Sequence, residues 1–410
     1  MSLRQDADRI IEAALRSALP DSAVRRALGR ISFRDGRTVL IAAGKAAWQM
    51  ADAAYKELGS RIDGGVVITK YGHSRGPIGN LQIHEAGHPV SDSNSFSATR
   101  EALDCVSGLS ENDNVLFLLS GGGSALFEKP LVSEEENRSV TEQLLSCGAD
   151  IKEINIIRKR LSAVKGGRFA QSCTPAHVYT VVLSDVLGDP PDMIASGPAY
   201  PDSSTCEKAF EIAERYSLVL SEQARTLLGR ETPKSLDNVT TFITGSVKQL
   251  CTSAMETAGK LGYEPVFLTA GLDCEAREAG SFLASIARDH QDSGKSLAFI
   301  AGGETVVHLT GQGMGGRNQE IALSAAMGIG NCKDTCIFSV GSDGTDGPTD
   351  AAGGYCDQDT LKKLSSLGID IKAVLKDNDS YHALKKCNGL IITGATGTNV
   401  NDLTVLLIKR

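Results

Sequence analysis

The chain has 410 residues, which is more than one hydrophobic core normally supports, so we expect two domains. Its net charge of −8 argues against a general nucleic-acid-binding protein, because no basic excess is available to neutralise phosphates. The chain has no apolar run long enough to span a membrane, no signal-peptide core at its N-terminus and no CxxC pair among its ten cysteines, so we expect a cytoplasmic protein with reduced thiols.

The first half of the chain alternates short apolar runs with longer amphipathic segments. We predict strands at 38–43, 65–69, 81–85, 114–119 and 178–184. Helical periodicity falls between them, at 45–58, 93–107 and 133–146. This alternation is typical of a parallel sheet with helices on both faces, so the expected fold class is α/β with a doubly wound, mainly parallel, Rossmann-like N-terminal domain.

The second half continues the alternation of strands and helices. We predict strands at 240–243, 265–268, 297–301, 305–309, 335–340, 389–393 and 404–408, and helices at 247–262, 275–290, 318–327 and 357–367. The segments 297–301 and 305–309 are too close for a helical crossover and predict a hairpin, so the second sheet should be mixed. The polar break at 232–238 predicts domains at 1–236 and 237–410, and the first helix could pack on either of them.

A lysine and a run of glycines follow two of the predicted strands. Lys45 comes after the strand 38–43 and opens a helix, where free N–H groups and a positive charge suit a carboxylate or a phosphate. The strand 114–119 is followed by Ser120, Gly121, Gly122, Gly123 and Ser124. Such glycines can present backbone N–H groups to an anion. A solvated surface lysine and a tight structural turn are the alternative interpretations.

A predicted helix at 153–167 carries a polar stripe beside an apolar one. The polar residues are Asn155, Arg158, Ser162 and Lys165, at spacings of three, four and three. The stripe could bind substrate phosphate, or it could be the solvated edge of an amphipathic helix. The pair of glycines at 166 and 167 is expected to cap this helix.

Three aspartates come at or after the end of the strand 178–184. Asp185 lies at the strand end, and Asp189 and Asp192 follow in a loop rich in proline and glycine. Carboxylates in this position can hold Mg²⁺ beside substrate phosphates, so Asp185 is a candidate catalytic residue and Asp189 a candidate metal ligand. Turn and capping aspartates are the alternative.

A glycine-rich loop precedes a predicted helix in the second half. Gly313, Gly315 and Gly316 lead into Arg317 and Asn318, and the three glycines and Asn318 are candidate nucleotide-binding residues. The spacing is poor for a dinucleotide fingerprint but suits an anion-binding helix entry reinforced by an arginine. The alternative is a flexible loop that ends in a solvated arginine. The carboxylate at Glu304, between two predicted strands, is a candidate metal ligand.

A second loop interleaves aspartates with glycines after the strand 335–340. Asp343, Gly344 and Thr345 are candidate nucleotide-binding residues, and Asp346 is a candidate metal ligand. Plain turn aspartates are the alternative. The chain has no Walker A pattern, no protein-kinase motif set, no GxSxG elbow and no HExxH metal spacing.

Nine motifs follow one another along the chain. They are AAGKAAWQMA, GHPVSD, LLSGGGSAL, INIIRKRLSAVKGGRFA, SDVLGDPPDMIASGP, GGETVV, GMGGRNQEIAL, SVGSDGTDGPTDAAGG and GTNVND. In this order they resemble the class II glycerate kinases, also called the MOFRL family, over nearly the whole chain. The resemblance implies two α/β domains with the active site in the cleft between them, and phosphorylation of D-glycerate to 2-phosphoglycerate with ATP and Mg²⁺ or another divalent cation.

The resulting hypothesis is direct in-line phosphoryl transfer with Lys45, Arg317 and Asp185 as catalytic residues. Lys45 and Arg317 match basic positions that are considered important in the family. An NAD(P)H-dependent hydroxypyruvate reductase is the alternative, which the lack of a nicotinamide fingerprint disfavours. The third hypothesis is a sensor that binds a nucleotide or metabolite without catalysis. We expect glycerate and nucleotide as partners, no nucleic acid and no membrane, and a homodimer as one possible assembly.

Overall fold

The structure is a computed structural model that describes residues 2–184 and 192–410, so the predicted roles of Asp185 and Asp189 lie outside the described residues. The chain divides into two compact units. The N-terminal unit is Ala23–Thr244, and the C-terminal unit combines Met1–Ser22 with Gly245–Arg410. In the part of the chain that the structure describes, no helix is long and apolar enough to cross a bilayer.

A six-stranded sheet forms the centre of the N-terminal unit. Its strands are β1 (Thr38–Ala43), β2 (Gly64–Lys70), β3 (Leu81–Ala86), β4 (Asn114–Leu119), β5 (His177–Leu183) and β6 (Val239–Gly245). Their order is β3-β2-β1-β4-β5-β6, and the pairs β2–β3, β1–β2, β1–β4 and β4–β5 run parallel. This is the strand order of a Rossmann-like sheet, so the predicted fold class is confirmed. In such a sheet the order reverses between β1 and β4, and ligands bind at the carboxyl ends of the strands there.

Strand β6 requires a correction to the predicted domain boundary. We assigned this segment to the C-terminal domain, but it forms an edge of the first sheet. Val178 N donates to Asn238 O at 2.8 Å, and Val239 and Ile243 pack against the core that contains Phe117. The polar break at 232–238 therefore precedes an edge strand, and the division between the units falls at 244–245.

Sixteen α-helices occur in the described part of the chain. They are α1 (Leu3–Ser17), α2 (Pro20–Leu28), α3 (Ala47–Leu58), α4 (Ser93–Val106), α5 (Gly123–Leu126), α6 (Glu134–Ser146), α7 (Ile151–Arg160), α8 (Arg168–Ser172), α9 (Cys206–Arg215), α10 (Glu222–Leu228), α11 (Val247–Lys260), α12 (Ala276–Asp289), α13 (Arg317–Ile329), α14 (Thr360–Ser366), α15 (Ile371–Lys376) and α16 (Ser380–Lys386). The prediction of one helix over 153–167 is wrong, because α7 ends at Arg160. Gly166 and Gly167, with φ of +58° and +85°, turn the chain into α8 instead of capping α7.

A second six-stranded sheet forms the C-terminal unit, and it is mixed as predicted. Its strands are β7 (Glu264–Leu272), β8 (Leu297–Gly303), β9 (Thr335–Gly341), β10 (Gly353–Asp357), β11 (Leu390–Ile391) and β12 (Asp402–Ile408), in the order β11-β10-β9-β12-β8-β7. The pair β7–β8 is parallel, and the other four pairs are antiparallel.

The predicted hairpin at 297–309 is wrong, although the sheet is mixed. Glu304 N donates to Leu272 O at 2.8 Å, and Val306 N donates to Cys274 O at 3.1 Å. The segment after β8 therefore runs beside the chain that leaves β7, and it does not fold back on β8. The antiparallel pairs are made by β12, which lies between β8 and β9, and by β10, which lies between β9 and β11.

The first helix belongs to the C-terminal unit. Helix α1 packs on α11, and the buried Asp6 carboxylate accepts hydrogen bonds from Tyr263 Oη at 2.8 Å and from Lys409 Nζ at 2.7 Å. A buried carboxylate is tolerated only with such partners, so these bonds fix α1 on this unit.

Candidate functional site

The first polar cluster lies where the strand order of the N-terminal sheet reverses. After β1, Gly44 has φ of +130°, and a Cβ atom there would lie 2.2 Å from Ser120 Oγ, so this turn requires glycine. Lys45 N donates to Gly121 O at 2.9 Å. This bond holds Lys45 beside the segment 120–124, which we call the glycine loop. The Lys45 side chain is exposed and forms no ion pair with the described residues.

Three further basic residues lie at the same edge of the sheet. Lys70 ends β2, His73 follows it, and His88 follows β3. His73 Nδ1 lies 3.0 Å from Lys45 O, and a Cβ atom on Gly122 would lie 3.0 Å from His88 Nε2 and 3.2 Å from Lys45 Cγ. Burial lowers the pKa of His88, and the charges of Lys45, Lys70 and His73 lower it further. Lys45 is thus part of a basic cluster that could receive an anion.

Sequence reasoning selected Lys45 but missed Lys70, His73 and His88. Each of them lies at or just after the carboxyl end of a strand that the sequence predicts to be parallel. This is the same criterion that selected Lys45, since the carboxyl ends of parallel strands share one edge of the sheet. The signal was therefore present in the sequence.

Buried polar contacts support the glycine loop from behind. Lys165 is fully buried, and its Nζ donates to Ser124 O at 2.8 Å and to Phe127 O at 3.1 Å, with Glu128 Oε2 at 3.2 Å. Burial lowers the pKa of Lys165 to about 8, against the opposing effect of Glu128. Arg158 Nη2 also donates to Ser124 O, at 2.9 Å. This geometry assigns Lys165 to the support of the loop, although we predicted a contact with substrate.

The other two residues of the predicted polar stripe are also engaged within the unit. Asn155 Oδ1 accepts a hydrogen bond from Ser196 Oγ at 2.8 Å, and Ser196 Oγ lies 3.3 Å from Ser124 Oγ. Ser162 Oγ donates to Glu128 Oε1 at 2.5 Å. The four residues do not form one helical stripe, because Ser162 lies beyond the end of α7. They form instead a buried network around the glycine loop.

In the C-terminal unit, Arg317 is held between two carboxylates. Its Nε and Nη2 donate to Asp402 Oδ2 and Oδ1 at 2.5 and 3.2 Å, and its Nη1 donates to Glu304 Oε1 at 2.9 Å. Burial alone would lower the pKa of Arg317, but the two carboxylates raise it overall. Burial raises the pKa of Asp402 to about 6, although Arg317 opposes this effect. Sequence reasoning did not identify Asp402, because the GTNVND loop that carries it looked like an ordinary loop on its own.

The predicted metal ligand Asp346 caps helix α13. Its Oδ1 accepts hydrogen bonds from Asn318 N and Nδ2, both at 3.2 Å, and its Oδ2 accepts them from Gln319 N and Nε2, at 2.9 and 3.1 Å. A Cβ atom on Gly316 would lie 2.3 Å from Asp346 Cγ, so glycine is needed for the carboxylate to reach the helix. Each carboxylate oxygen already accepts two hydrogen bonds, which leaves neither free for a metal ion.

The described residues therefore do not fit a ready-made site for a divalent cation. No group of three or more His, Cys, Asp or Glu side chains suited to a metal ion occurs in the ranges 2–184 and 192–410. Asp346 is committed to the helix cap, and Glu304 pairs with Arg317. Two N–H groups at the N-terminus of α13, those of Asn318 and Gln319, are bound by the Asp346 carboxylate and are therefore not available to a phosphate.

The glycines before α13 have a packing role in the structure. Gly313 N donates to Asp377 O at 2.8 Å. A Cβ atom on Gly315 would lie 2.1 Å from Ser380 Oγ. The buried Asn378 completes this contact, since its Oδ1 accepts a hydrogen bond from Gly311 N at 2.9 Å. Close approach of two backbone segments accounts for these glycines without a bound nucleotide.

The loop after β9 is a tight turn stabilised by its own side chain. Asp343 Oδ1 accepts a hydrogen bond from Thr345 N at 3.0 Å, as is common for aspartate in turns. Gly344 has φ of +88°, and a Cβ atom there would lie 2.0 Å from Gly394 O. The structure thus explains these residues locally, and a role in nucleotide binding remains a prediction.

Family models match both parts of the chain. Residues 6–229 match a domain of unknown function, DUF4147, and residues 297–402 match the MOFRL family. The first match alone covers more than half of the chain.

Relatives match the chain over nearly its full length. The D-glycerate 2-kinase of Thermotoga maritima is 52% identical over 99% of both chains, and the glycerate 2-kinase of Pyrococcus horikoshii is 39% identical over 100% of this chain and 98% of its own. A protein of Agrobacterium vitis, also 39% identical, carries the provisional name hydroxypyruvate reductase. The crystal structure of glycerate kinase from Thermotoga maritima superimposes with a TM-score of 0.94 over 99% of both chains. The chain therefore belongs to the MOFRL family of glycerate 2-kinases.

Proposed function

We propose that the protein transfers the γ-phosphoryl group of ATP, bound with a divalent cation, to the 2-hydroxyl group of D-glycerate. The observation that carries this proposal is the exposed Lys45, which pairs with no carboxylate in the ranges 2–184 and 192–410 and lies beside the glycine loop, at the point where the order of the first sheet reverses. The 52% identity to a protein named D-glycerate 2-kinase supplies the substrate and the position of transfer.

The basic cluster suits the anions of this reaction. Lys45 and Lys70 are cations at one edge of the sheet, and the glycine loop adjoins them. Phosphoryl transfer spreads negative charge over the transferring group, so catalysis depends mainly on positioning and electrostatic stabilisation. In this proposal Lys45 neutralises a phosphoryl oxygen or the glycerate carboxylate, and the backbone of the glycine loop donates hydrogen bonds to the same anion.

Arg317 is the proposed anion-binding residue of the C-terminal unit. Three of its five N–H groups bind Asp402 and Glu304, so within the described part of the chain Nη1 and Nη2 each keep one N–H group for a phosphate or a carboxylate. The two carboxylates hold the guanidinium group in one orientation. This arrangement favours a clamp that is ordered before the ligand arrives.

The proposal is tested by identification of the product. Purified protein is incubated with ATP, Mg²⁺ and D-glycerate, and the product is identified by phosphorus NMR. We expect 2-phosphoglycerate and ADP. The signal of 3-phosphoglycerate would contradict the position of transfer, and the absence of any phosphorylated product would contradict the kinase.

The reductase is the alternative because a relative carries that name and the first sheet has the Rossmann-like strand order. The turn after β1, however, reads AAGKAA, with one glycine where a dinucleotide site needs the GxGxxG pattern. Oxidation of NADPH in the presence of hydroxypyruvate measures this activity directly. We expect none above the rate without protein.

A further inference from the structure

Four adjacent strands of the N-terminal sheet place their carboxyl ends around one imidazole ring. Lys45 follows β1, and His88 and Gly122 follow β3 and β4. Lys70 is the last residue of β2, and His73 comes after it in the sequence. A Cβ atom on Gly122 would lie 2.9 Å from His88 Cδ2 and 3.0 Å from Nε2. The absence of a side chain at this position therefore brings the backbone of the glycine loop against the His88 ring.

The surroundings of His88 favour a neutral ring with a free nitrogen. Burial has the largest effect on the ring, and the positive charges of Lys45 on the β1–α3 turn, Lys70 on β2 and His73 on the β2–β3 turn add to it. All of these lower the pKa of His88 below its usual value near 6.5. Among the described residues, the ring has no hydrogen-bond partner.

Two described carboxylates near this segment, those of Glu85 and Asp92, are engaged elsewhere. Glu85, on β3, accepts a hydrogen bond from Ser74 N at 2.9 Å. Asp92, in the loop of His88, accepts hydrogen bonds from Tyr71 Oη at 2.7 Å and from Ser95 N at 2.9 Å. Neither acts as a counter-ion that would hold His88 in its charged form.

We propose that His88 is the general base of the transfer reaction and accepts the proton of the 2-hydroxyl group of D-glycerate. The hydroxyl oxygen forms its bond to the γ-phosphorus, the bond from that phosphorus to the β–γ bridging oxygen breaks, and ADP leaves with the electron pair. The imidazolium then releases the proton to water. Lys45 holds the anion of the substrate beside the ring, so charge recognition and proton removal occur at one edge of the sheet. This inference rests on the proposed function.

The test compares the variants His88→Asn and His88→Gln with wild type, and measures kcat and KM for D-glycerate between pH 5 and 9. The matched control is His84→Asn, because His84 lies on β3, the strand that precedes His88, but its Nε2 pairs with Glu101 Oε2 at 2.8 Å. A positioned base contributes about 10²–10⁴ in rate, so we expect kcat to fall about 100-fold or more in both variants, with KM little changed. In wild type, kcat/KM should fall as the pH drops through the pKa of His88, and this acidic decrease should be absent from both variants.

Two results would overturn the inference. One is a higher KM with kcat unchanged, which assigns His88 to binding alone. The other is an acidic decrease that persists in both variants. Thermal melting of all variants tests whether they fold. If only one of the two His88 variants melts like wild type, the kinetic comparison uses that variant. An inactive wild type would contradict the proposed function, whereas either of these two results with an active wild type contradicts only this inference.

Discussion

Lys45 and Arg317 carry the same charge in opposite surroundings. The Lys45 ammonium group is exposed and pairs with no carboxylate of the described residues, so its charge is available to a ligand. Arg317 is bound to Glu304 and to Asp402, whose side chain is only 5% exposed. Replacing each cation with alanine should therefore have different consequences for stability, although we assign both to catalysis.

For Lys45→Ala we expect kcat/KM to fall about 10²–10³-fold with an unchanged melting temperature, because a charge aimed at the transition state is lost and no internal contact is broken. Steady-state kinetics with D-glycerate and a thermal melt check both parts. Lys56→Ala is the matched control, since Lys56 lies on α3 and pairs on the surface with Asp52 at 2.6 Å. Near-normal turnover in a well-folded Lys45→Ala protein would remove this residue from the mechanism.

For Arg317→Ala we expect a loss of both stability and activity. The substitution leaves the Asp402 carboxylate buried without its partner, which costs about 1–3 kcal/mol of the free energy of unfolding. Adding Asp402→Asn removes the unpaired charge, so the double variant should regain part of the stability but none of the activity. Urea denaturation and kcat/KM of the two single variants and the double variant measure this. Recovery of turnover in the double variant would show that Arg317 serves only as a partner for Asp402.

Lys165 shows where residue-level prediction failed. The spacing of Asn155, Arg158 and Lys165 suggested one face of a helix, and the sequence carries no strong signal that α7 ends at Arg160. Beyond the end of the helix, the spacing between residues no longer determines the direction in which their side chains point. The Lys165 side chain is buried in the core beneath the glycine loop. The position of a residue just after a parallel strand predicted its place in the structure better than helical spacing did, because it depends on the sheet and not on where a helix ends.

At the scale of elements, helix α13 depends on a cap that is remote in sequence. Its N-cap residue is Gly316, which has no side chain, and the N–H groups of Asn318 and Gln319 are bound by Asp346. For Asp346→Ala we expect a loss of at least about 2 kcal/mol in the free energy of unfolding, since four hydrogen bonds disappear and buried donors are left unpaired.

Urea denaturation measures this loss, and Asp359→Ala provides the control. Asp359 is the N-cap residue of α14, but it is exposed and its side chain makes no capping bond to that helix. We expect that variant to remain within about 0.5 kcal/mol of wild type. If the Asp346→Ala protein is stable but needs a much higher Mg²⁺ concentration for activity, Asp346 is a metal ligand, as the sequence predicted.

Strands and helices were predictable from the sequence to different degrees. Strands β1 and β4 match their predicted bounds because strands buried on both faces are continuous apolar runs. Strand β10 was missed because its residues, GGYCD, carry little apolar signal and its pairing with β9 comes from the tertiary structure. The false hairpin at 297–309 has the same origin, since the partner of Val306 lies at Cys274 and local sequence does not specify it.

For the whole molecule, the sequence predicted two α/β units and a Rossmann-like first sheet, but not the position where the units divide. The polar segment at 232–238 looked like a linker, yet it leads into an edge strand of the first sheet. Asn238 Nδ2 donates to Ala170 O at 2.9 Å and to Ala176 O at 3.1 Å. A polar stretch therefore marks a break in local structure, while membership of a domain depends on what the next apolar segment packs against.

The position of the division predicts how fragments of the chain should fold. The fragment 23–244 contains the first five strands of the first sheet, β6 up to its penultimate residue, and a core in which Phe117, Phe127 and Phe169 pack with ring centroids 4.6–5.3 Å apart. We expect it to unfold cooperatively in urea. The fragment 23–236 ends before β6 and leaves one edge of β5 unpaired, so it should lose at least about 2 kcal/mol of the free energy of unfolding, since Val239 and Ile243 no longer cover the core.

Fluorescence provides the measurement, because the single tryptophan of the chain, Trp48, lies on α3 inside both fragments. Circular dichroism on the same samples tests whether the helices unfold together with the surroundings of Trp48. Equal stability of the two fragments would mean that β6 is dispensable for the first sheet and that the predicted boundary at 236–237 is the better division. A broad transition of the shorter fragment beside a sharp transition of the longer one would instead make β6 part of the cooperative unit, because its loss would then affect residues far from the cut.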